Sequence, residues 1–233
     1  MKTNEKENPF ISLLVGIVIP AIILSKFSSP EQLGVLLGFI LALSFPLILA
    51  LYNLIVRKKA GFIAILGFIS IFVTGIIGVF EFPSEWIAYK EASVPLIIGI
   101  MVLISLKTPF PLVKKFLYNE EILNVEKIDM ILVETNNKQA FEKTLVRGTY
   151  LLAASFLVSA ILNFALAKIL IQSPSGTAEF NAELGKMTAL SFPVIALPST
   201  IIMLVALFYI MARLKKLTHL EVEELLSEKM HNK

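Results

Sequence analysis

Long uninterrupted apolar stretches dominate the pattern of hydrophobic and polar positions along the chain. Stretches of about 18 or more apolar residues are typical of transmembrane helices, because a rise of about 1.5 Å per residue then crosses most of a hydrocarbon layer of about 30 Å. The pattern therefore predicts an all-α fold, a polytopic membrane helix bundle. Its six spans are 10–27, 33–56, 62–80, 86–106, 149–171 and 190–211. We expect the first span to stay uncleaved.

Composition narrows the class of protein further. Hydrophobic residues make up 56% of the 233 residues, only 17% are charged, and the mean hydropathy is +0.80. Soluble domains carry about 25% charged residues, which excludes a soluble enzyme. The chain has no Cys, and both His219 and His231 lie in the polar C-terminal tail. We therefore expect no metal site, no cofactor and no enzymatic activity.

The positions of Lys and Arg predict the orientation of the spans, because cytoplasmic loops of membrane proteins are enriched in them. Of the 21 basic residues, all except Lys26, Lys90, Lys168 and Lys186 fall in alternate polar segments. Both termini are therefore predicted to be cytoplasmic. The basic excess follows from topology, so we expect membrane lipids rather than nucleic acid as the anionic partner.

Two polar segments are long enough to have structure of their own, a cytoplasmic loop at 107–148 and a tail at 212–233. The basic start of the loop either lies on the membrane as an amphipathic segment or is an ordinary connector. A short helix capped by Asn136 and Asn137 is expected to lead into the fifth span. Basic residues predicted to contact lipid headgroups are Arg57, Lys58, Lys59, Lys114, Lys115 and Arg147.

Three Ser-x-Pro sequences recur in the second, fourth and sixth spans, around Pro46, Pro95 and Pro193. Proline within a helix removes one backbone hydrogen bond, so these positions are predicted helix breaks whose carbonyls a neighbour or ligand could use. The recurrence indicates either an internal duplication or chance in a chain rich in Leu, Ile, Val and Phe.

The most informative charges are Lys90 and Glu91, which lie one to two turns inside the fourth span. Lys90 can extend to the headgroups, whereas the shorter Glu91 is expected to face the interior of the bundle. Lys90, Arg147 and Asn163 are its possible polar partners. Lys90, Glu91 and Asn163 therefore form a candidate intramembrane polar site, with structural pairing as the alternative role.

Small residues at helical spacing also mark two spans, the second with Gly34, Gly38 and Ala42 and the third with Gly67, Ser70, Thr74 and Gly78. Such stripes permit close packing of membrane helices, and a water-filled path is the alternative interpretation. The face that carries Gly34 and Gly38 could also be the contact surface of a homo-oligomer.

Several short motifs occur in order between about Leu33 and Met211. They are Val56-Arg57-Lys58-Lys59, Thr74-Gly75-Ile76-Ile77-Gly78, Trp86-Ile87-Ala88-Tyr89-Lys90, Ser105 with Lys107, Pro111, Leu112 and Val113, and Leu162-Asn163. Taken in this order, they resemble the intracellular septation protein A family of bacterial inner-membrane proteins. The loop at 118–147 and the segment at 91–95 depart from that pattern. The chain is therefore similar to this family or to a longer sister group of it.

The resemblance implies a multi-pass protein of the bacterial cytoplasmic membrane that serves cell-envelope maintenance or septation, with envelope or division proteins as partners. The polar residues within the spans favour an alternative, a small solute or ion transporter or channel that uses Glu91 and Asn163.

Overall fold

The structure is a computed structural model that describes residues 13–55, 62–108, 113–114, 118, 120 and 122–227. Regular structure in these residues is helical, with no strand beyond one isolated bridge between Leu123 and Leu226. The all-α prediction is confirmed. The helices are α1 Leu14–Phe27, α2 Val35–Ile55, α3 Phe62–Val79, α4 Trp86–Ser105, α5 Val125–Glu134, α6 Lys138–Leu170, α7 Ala178–Thr218 and α8 Val222–Leu225.

Within the part of the chain that the structure describes, four helices are long and apolar enough to cross a membrane: α2, α4, α6 and α7. The first and third predicted spans correspond to shorter apolar helices, Leu14–Phe27 and Ile65–Val79. Large apolar side chains such as Leu37, Phe72 and Phe208 are exposed along these helices, as expected of surfaces that face lipid. The described helices are thus compatible with a multi-pass membrane protein, while the count of six spans stays a prediction.

Helices α6 and α7 are longer than the spans predicted within them. The short helix expected before the fifth span is continuous with it, and α6 begins at Lys138, directly after Asn137. Helix α7 begins at Ala178 rather than near residue 190, with the Thr177 hydroxyl accepting a hydrogen bond from the Phe180 amide. Its first turns carry charged residues, which lower the hydropathy of this segment. Phe180, Leu184 and Met187 are nevertheless buried, because their spacing of four and three residues places them on one face of a helix.

The prolines modify helices without ending them. Helices α2 and α4 continue through Pro46 and Pro95, whereas Pro193 lies in a π-helical turn of α7, Phe192–Ala196. In α1, Pro20 lies between two π-helical segments, Leu14–Val18 and Ile23–Phe27. The predicted breaks at Pro46 and Pro95 are therefore corrected to continuous helix, in which each proline still removes one backbone hydrogen bond.

The chain divides into two compact units, and the first comprises Met1–Val94 and Ala160–Ala196. Its apolar core includes Leu24, Phe39, Ala42, Ile87 and Phe180. The rings of Phe39 and Phe180 lie 6.2 Å apart. The Asn181 side chain is buried and donates to the Val35 carbonyl oxygen at 2.9 Å, which joins the first turn of α2 to α7.

Glycines of the predicted stripes lie where helices of the first unit approach closely. A Cβ atom at Gly78 would lie 2.1 Å from the Phe39 ring, and one at Gly38 would lie 2.5 Å from Ser28 Oγ. At these two positions the stripes serve intramolecular packing. Ser28 covers Gly38, whereas a Cβ atom at Gly34 would have no neighbour within 4 Å, so the suggested homo-oligomer face stays a prediction.

The second unit comprises Pro95–Ser159 and Leu197–Lys233. Its core, which we call the loop–tail cluster, joins the predicted loop to the predicted tail. The cluster consists of Val113, Leu123, Ile128, Leu132, Phe141, Leu145, Ile210, Leu214, Leu220 and Leu225. Loop and tail are thus one folded layer, which corrects their prediction as separate polar segments. Val113 is buried in this layer rather than free to lie on a membrane.

Polar contacts support the loop–tail cluster. The Asn124 amide donates to the Leu225 carbonyl at 2.9 Å, and the Asn137 side chain donates to the Leu217 carbonyl at 3.0 Å. Lys127 pairs with Glu224 at 3.0 Å, and this contact lowers the pKa of the Glu224 carboxyl below its usual range. Burial, with a smaller effect of the Asp129 carboxylate, raises the pKa of Tyr118.

Candidate functional site

Lys90 is the centre of a polar cluster within the first unit. Its ammonium group donates to Thr74 Oγ1 at 2.7 Å, to Ser70 Oγ at 3.3 Å and to Glu91 Oε1 at 2.6 Å. An ammonium group has three hydrogens, so these three acceptors satisfy it completely. The cluster links α4 to α3, and Lys90 is the partner of Glu91 among the three candidates.

The prediction that Lys90 extends to the headgroups is wrong. Lys90 lies about 6 Å into α4, whereas Thr74 and Ser70 lie about 8 Å and about 14 Å from the end of α3 at Val79. The side chain therefore turns inward, because hydroxyl and carboxylate acceptors are available there. The Lys90 side chain is 9% exposed and that of Glu91 is 24% exposed, so the lysine is the more enclosed member of the pair.

A cavity of about 220 Å³ adjoins this pair. Each water takes about 30 Å³ in the liquid, so the cavity is large enough for several waters or a small solute. Its lining combines helices α1, α2, α3, α4 and α7. The polar and proline residues of that lining are Ser70, Thr74, Lys90, Glu91, Thr188, Pro20 and Pro46.

Helix α1 forms part of the cavity wall through Gly16 and Pro20. Pro20 has no amide hydrogen to donate to the residue four positions earlier. The backbone on either side of it winds as π-helix, Leu14–Val18 and Ile23–Phe27, in which hydrogen bonds run over five residues. The irregular part of α1 therefore lies beside the charged pair.

The remaining predicted site residues lie elsewhere. Asn163 is half-buried on α6 and makes a polar contact of its own, but it does not line the cavity. Arg147 and Lys114 belong to the second unit and are exposed, as headgroup contacts would be. Arg57, Lys58, Lys59 and Lys115 lie outside the described residues.

Sequence reasoning missed the partners of Lys90. Ser70 and Thr74 had been assigned to a packing stripe, and Thr188 had been assigned no role. A signal for Thr74 was present, because a short turn joins α3 to α4 and places residues equidistant from it at the same depth. Thr74 and Lys90 are each eight residues from Phe82, in the middle of that turn.

The arrangement can bind a cation or a proton at Glu91. Glu91 is the only carboxylate in the lining of this cavity, and the ammonium hydrogens of Lys90 are already used. Among the described residues, no group of three or more His, Asp or Glu side chains could hold a metal ion. The more exposed Glu91 is the member of the pair that a cation or proton in the cavity would meet first.

Comparison of the chain with known proteins identifies no related protein. The chain matches no protein-family model, and no curated protein and no solved structure is significantly similar to it. The resemblance to the septation family therefore stays a prediction that rests on the short motifs given above.

Proposed function

We propose that this protein is a small transporter or channel of the bacterial cytoplasmic membrane, with both termini in the cytoplasm. Its ligand is a small cation or a proton, which Glu91 binds in the cavity of the first unit. The observation that carries this proposal is the position of Glu91, half-buried between Lys90 and a cavity of about 220 Å³. Intramembrane carboxylates in this setting are typical of ion and proton pathways.

The surroundings of Glu91 support exchange of partners at the carboxylate. Ser70 and Thr74 hold the Lys90 ammonium independently of Glu91. Lys90 therefore keeps two acceptors when a cation or a proton occupies the carboxylate. The hydroxyl of Thr188, on the α7 side of the cavity, is a further ligand group for a cation. Binding and release of a cation or a proton at Glu91 require no covalent bond other than the one to the proton. We therefore propose a role other than that of an enzyme.

The test is flux in liposomes that contain the purified full chain. Internal pH is followed with a trapped dye, and uptake of rubidium is measured in parallel. Glu91→Gln keeps the size of the side chain but removes its charge, so we expect flux to fall about tenfold or more, since a charge-assisted contact contributes about 1.5–3 kcal/mol.

Glu85→Gln is the matched control, because Glu85 is an exposed carboxylate just before the same helix. Its flux should equal that of the unchanged protein. Equal flux for Glu91→Gln, or no flux from folded protein with its full helical signal, would overturn the transport proposal.

A second candidate function is a role in cell-envelope maintenance or septation through a protein partner, as the family resemblance implies. It is favoured by two apolar side chains exposed on α5 of the loop–tail layer, Met130 and Val133. They lie three residues apart on one helix face, whereas Ile128 and Leu132 point into the core. An exposed apolar patch on a polar layer is typical of a docking surface.

Complementation of a strain that lacks the gene tests this second function. The double variant Met130→Glu/Val133→Glu should fail to restore normal envelope and division, while Thr135→Glu, an exposed change at the end of the same helix, should restore it. Membrane levels of each variant are compared by blotting. Full complementation by the double variant would remove the patch from consideration.

A further inference from the structure

Helix α6 carries two different surfaces on one continuous face within the second unit. Its residues at intervals of four, four, three, four and three lie along a single side of a helix with 3.6 residues per turn. These residues are Gln139, Lys143, Arg147, Tyr150, Ala154 and Leu157. The face begins polar and basic and becomes apolar after Arg147.

The basic part of this face borders a surface hollow of about 500 Å³. Lys143 and Arg147 line it together with Gln139, Glu142 and Val146, and both cations are exposed. Two cations and one carboxylate give the hollow a positive balance. Arginine binds phosphate oxygens in a bidentate manner, and basic residues beside a membrane-spanning segment attract anionic headgroups.

The apolar part of the same face is the floor of a groove of about 260 Å³ between α4 and α6. Leu96, Ile100 and Leu103 form the α4 wall and are exposed, as are Tyr150 and Leu157 on the α6 side. At Gly99 the two helices approach closely, since a Cβ atom there would lie 3.1 Å from the Phe156 Cβ. The groove opens to the surface, and its lining is almost entirely apolar.

We infer that this combined surface is a binding site for one anionic diacyl phospholipid. Lys143 and Arg147 bind the phosphate of the headgroup, and an acyl chain lies in the groove between α4 and α6. Charge complementarity identifies the occupant, because a positive hollow continues along the same helix face into an apolar groove. Tyr150 lies at the junction, where an amphipathic ring suits the headgroup boundary.

The inference is independent of the transport proposal, because the cavity beside Glu91 belongs to the first unit and the lipid surface belongs to the second. Loss of lipid binding would leave the flux experiment valid. Absence of flux would likewise leave lipid binding untouched.

Native mass spectrometry of the full chain, extracted in mild detergent and supplied with phosphatidylglycerol, tests this site. We expect one tightly retained lipid per chain and much weaker retention of phosphatidylcholine with the same acyl chains. Each cation near an anionic lipid contributes a factor of about five to affinity, so Lys143→Gln/Arg147→Gln should lose about 25-fold. Ala154→Phe, which fills the groove from its α6 floor, should also reduce retention.

Controls separate the possible occupants. Lys216→Gln removes an exposed cation from α7 and should retain lipid normally, and Lys143→Arg/Arg147→Lys should restore binding by keeping both charges. Glycerol 3-phosphate alone should bind weakly, since it lacks acyl chains. Equal retention by the charge variant, equal retention of phosphatidylcholine, equal binding of glycerol 3-phosphate, or a lipid-free dimer that covers the groove would each overturn the inference.

Discussion

The enclosed Lys–Glu ion pair of the first unit differs in almost every physical respect from the pair that joins loop and tail in the second unit. In the first unit, Lys90 and Glu91 are neighbours in sequence, 2.6 Å apart, with side chains 9% and 24% exposed. In the second, Lys127 and Glu224 are 97 positions apart, 3.0 Å from each other, and 38% and 48% exposed. The enclosed pair has two further hydroxyl partners and a cavity, whereas the open pair joins the exposed surfaces of α5 and α8.

This difference teaches that contact distance is a poor guide to what an ion pair does. An exposed pair is screened by water and salt, so it adds little to the stability that apolar packing already provides around it. An enclosed pair must be satisfied completely, because an uncompensated charge there is costly. We therefore expect the second unit to depend on its apolar cluster and the polar site of the first unit to depend on Lys90.

Removing Lys90 should produce the largest effect. Lys90→Met leaves Glu91 without its cation and should lower the free energy of unfolding by about 3–5 kcal/mol. Unfolding is followed by circular dichroism in detergent micelles. The double variant Lys90→Met/Glu91→Gln should recover most of this loss, because no unpaired charge remains. An equal loss for Lys127→Met would abolish the distinction between the two pairs.

Truncating the loop–tail cluster should come next. Leu132 is fully buried in the cluster, so Leu132→Ala should cost about 2–5 kcal/mol of unfolding free energy through lost burial and a new cavity. Its neighbour Val133 is exposed, and Val133→Ala is the matched control with an expected change within about 0.5 kcal/mol. If both changes have the same small effect, packing does not explain the stability of this unit.

Filling a close helix contact in the first unit should have an intermediate effect. Gly78→Ala places a methyl group against the Phe39 ring and should cost about 1–3 kcal/mol. Gly75→Ala is the control, since its Cβ would lie at an ordinary 3.8 Å from Leu43. Thermal unfolding of the two variants side by side measures the difference. A stable Gly78→Ala protein would show that α2 and α3 adjust without strain.

The smallest effect is expected at the exposed pair. The pKa of Glu224 is lowered from 4.5, so its contact with Lys127 stabilises the folded state fully above pH 4.5 and is lost as pH falls through the lower folded pKa. Glu224→Gln should remove this small pH dependence and leave stability at pH 7 almost unchanged. The comparison is made at low and high salt, and only the unchanged protein should respond to salt at this site.

The candidate site shows where sequence reasoning reached its limit. Depth in the fourth span was sufficient to select Lys90 and Glu91, because a charge within an apolar helix is rare whatever surrounds it. The direction of Lys90 was predicted wrongly, since hydropathy does not reveal that Ser70 and Thr74 of the adjacent helix offer acceptors. Asn163 was selected by the same depth argument, yet its helix places it away from the cavity lining.

Apolar runs by themselves determined the all-α class and the approximate positions of the long helices, because backbone hydrogen bonds in an apolar stretch are satisfied within the helix. Contacts between remote segments were decided only in the tertiary structure. Leu132 of the loop and Leu225 of the tail belong to one packed cluster, and Ser28 packs against Gly38. Residues of α1 and α7 line the cavity beside Glu91. These outcomes depend on side-chain shape and on which helix faces meet, and neither property is encoded in the hydropathy of one segment.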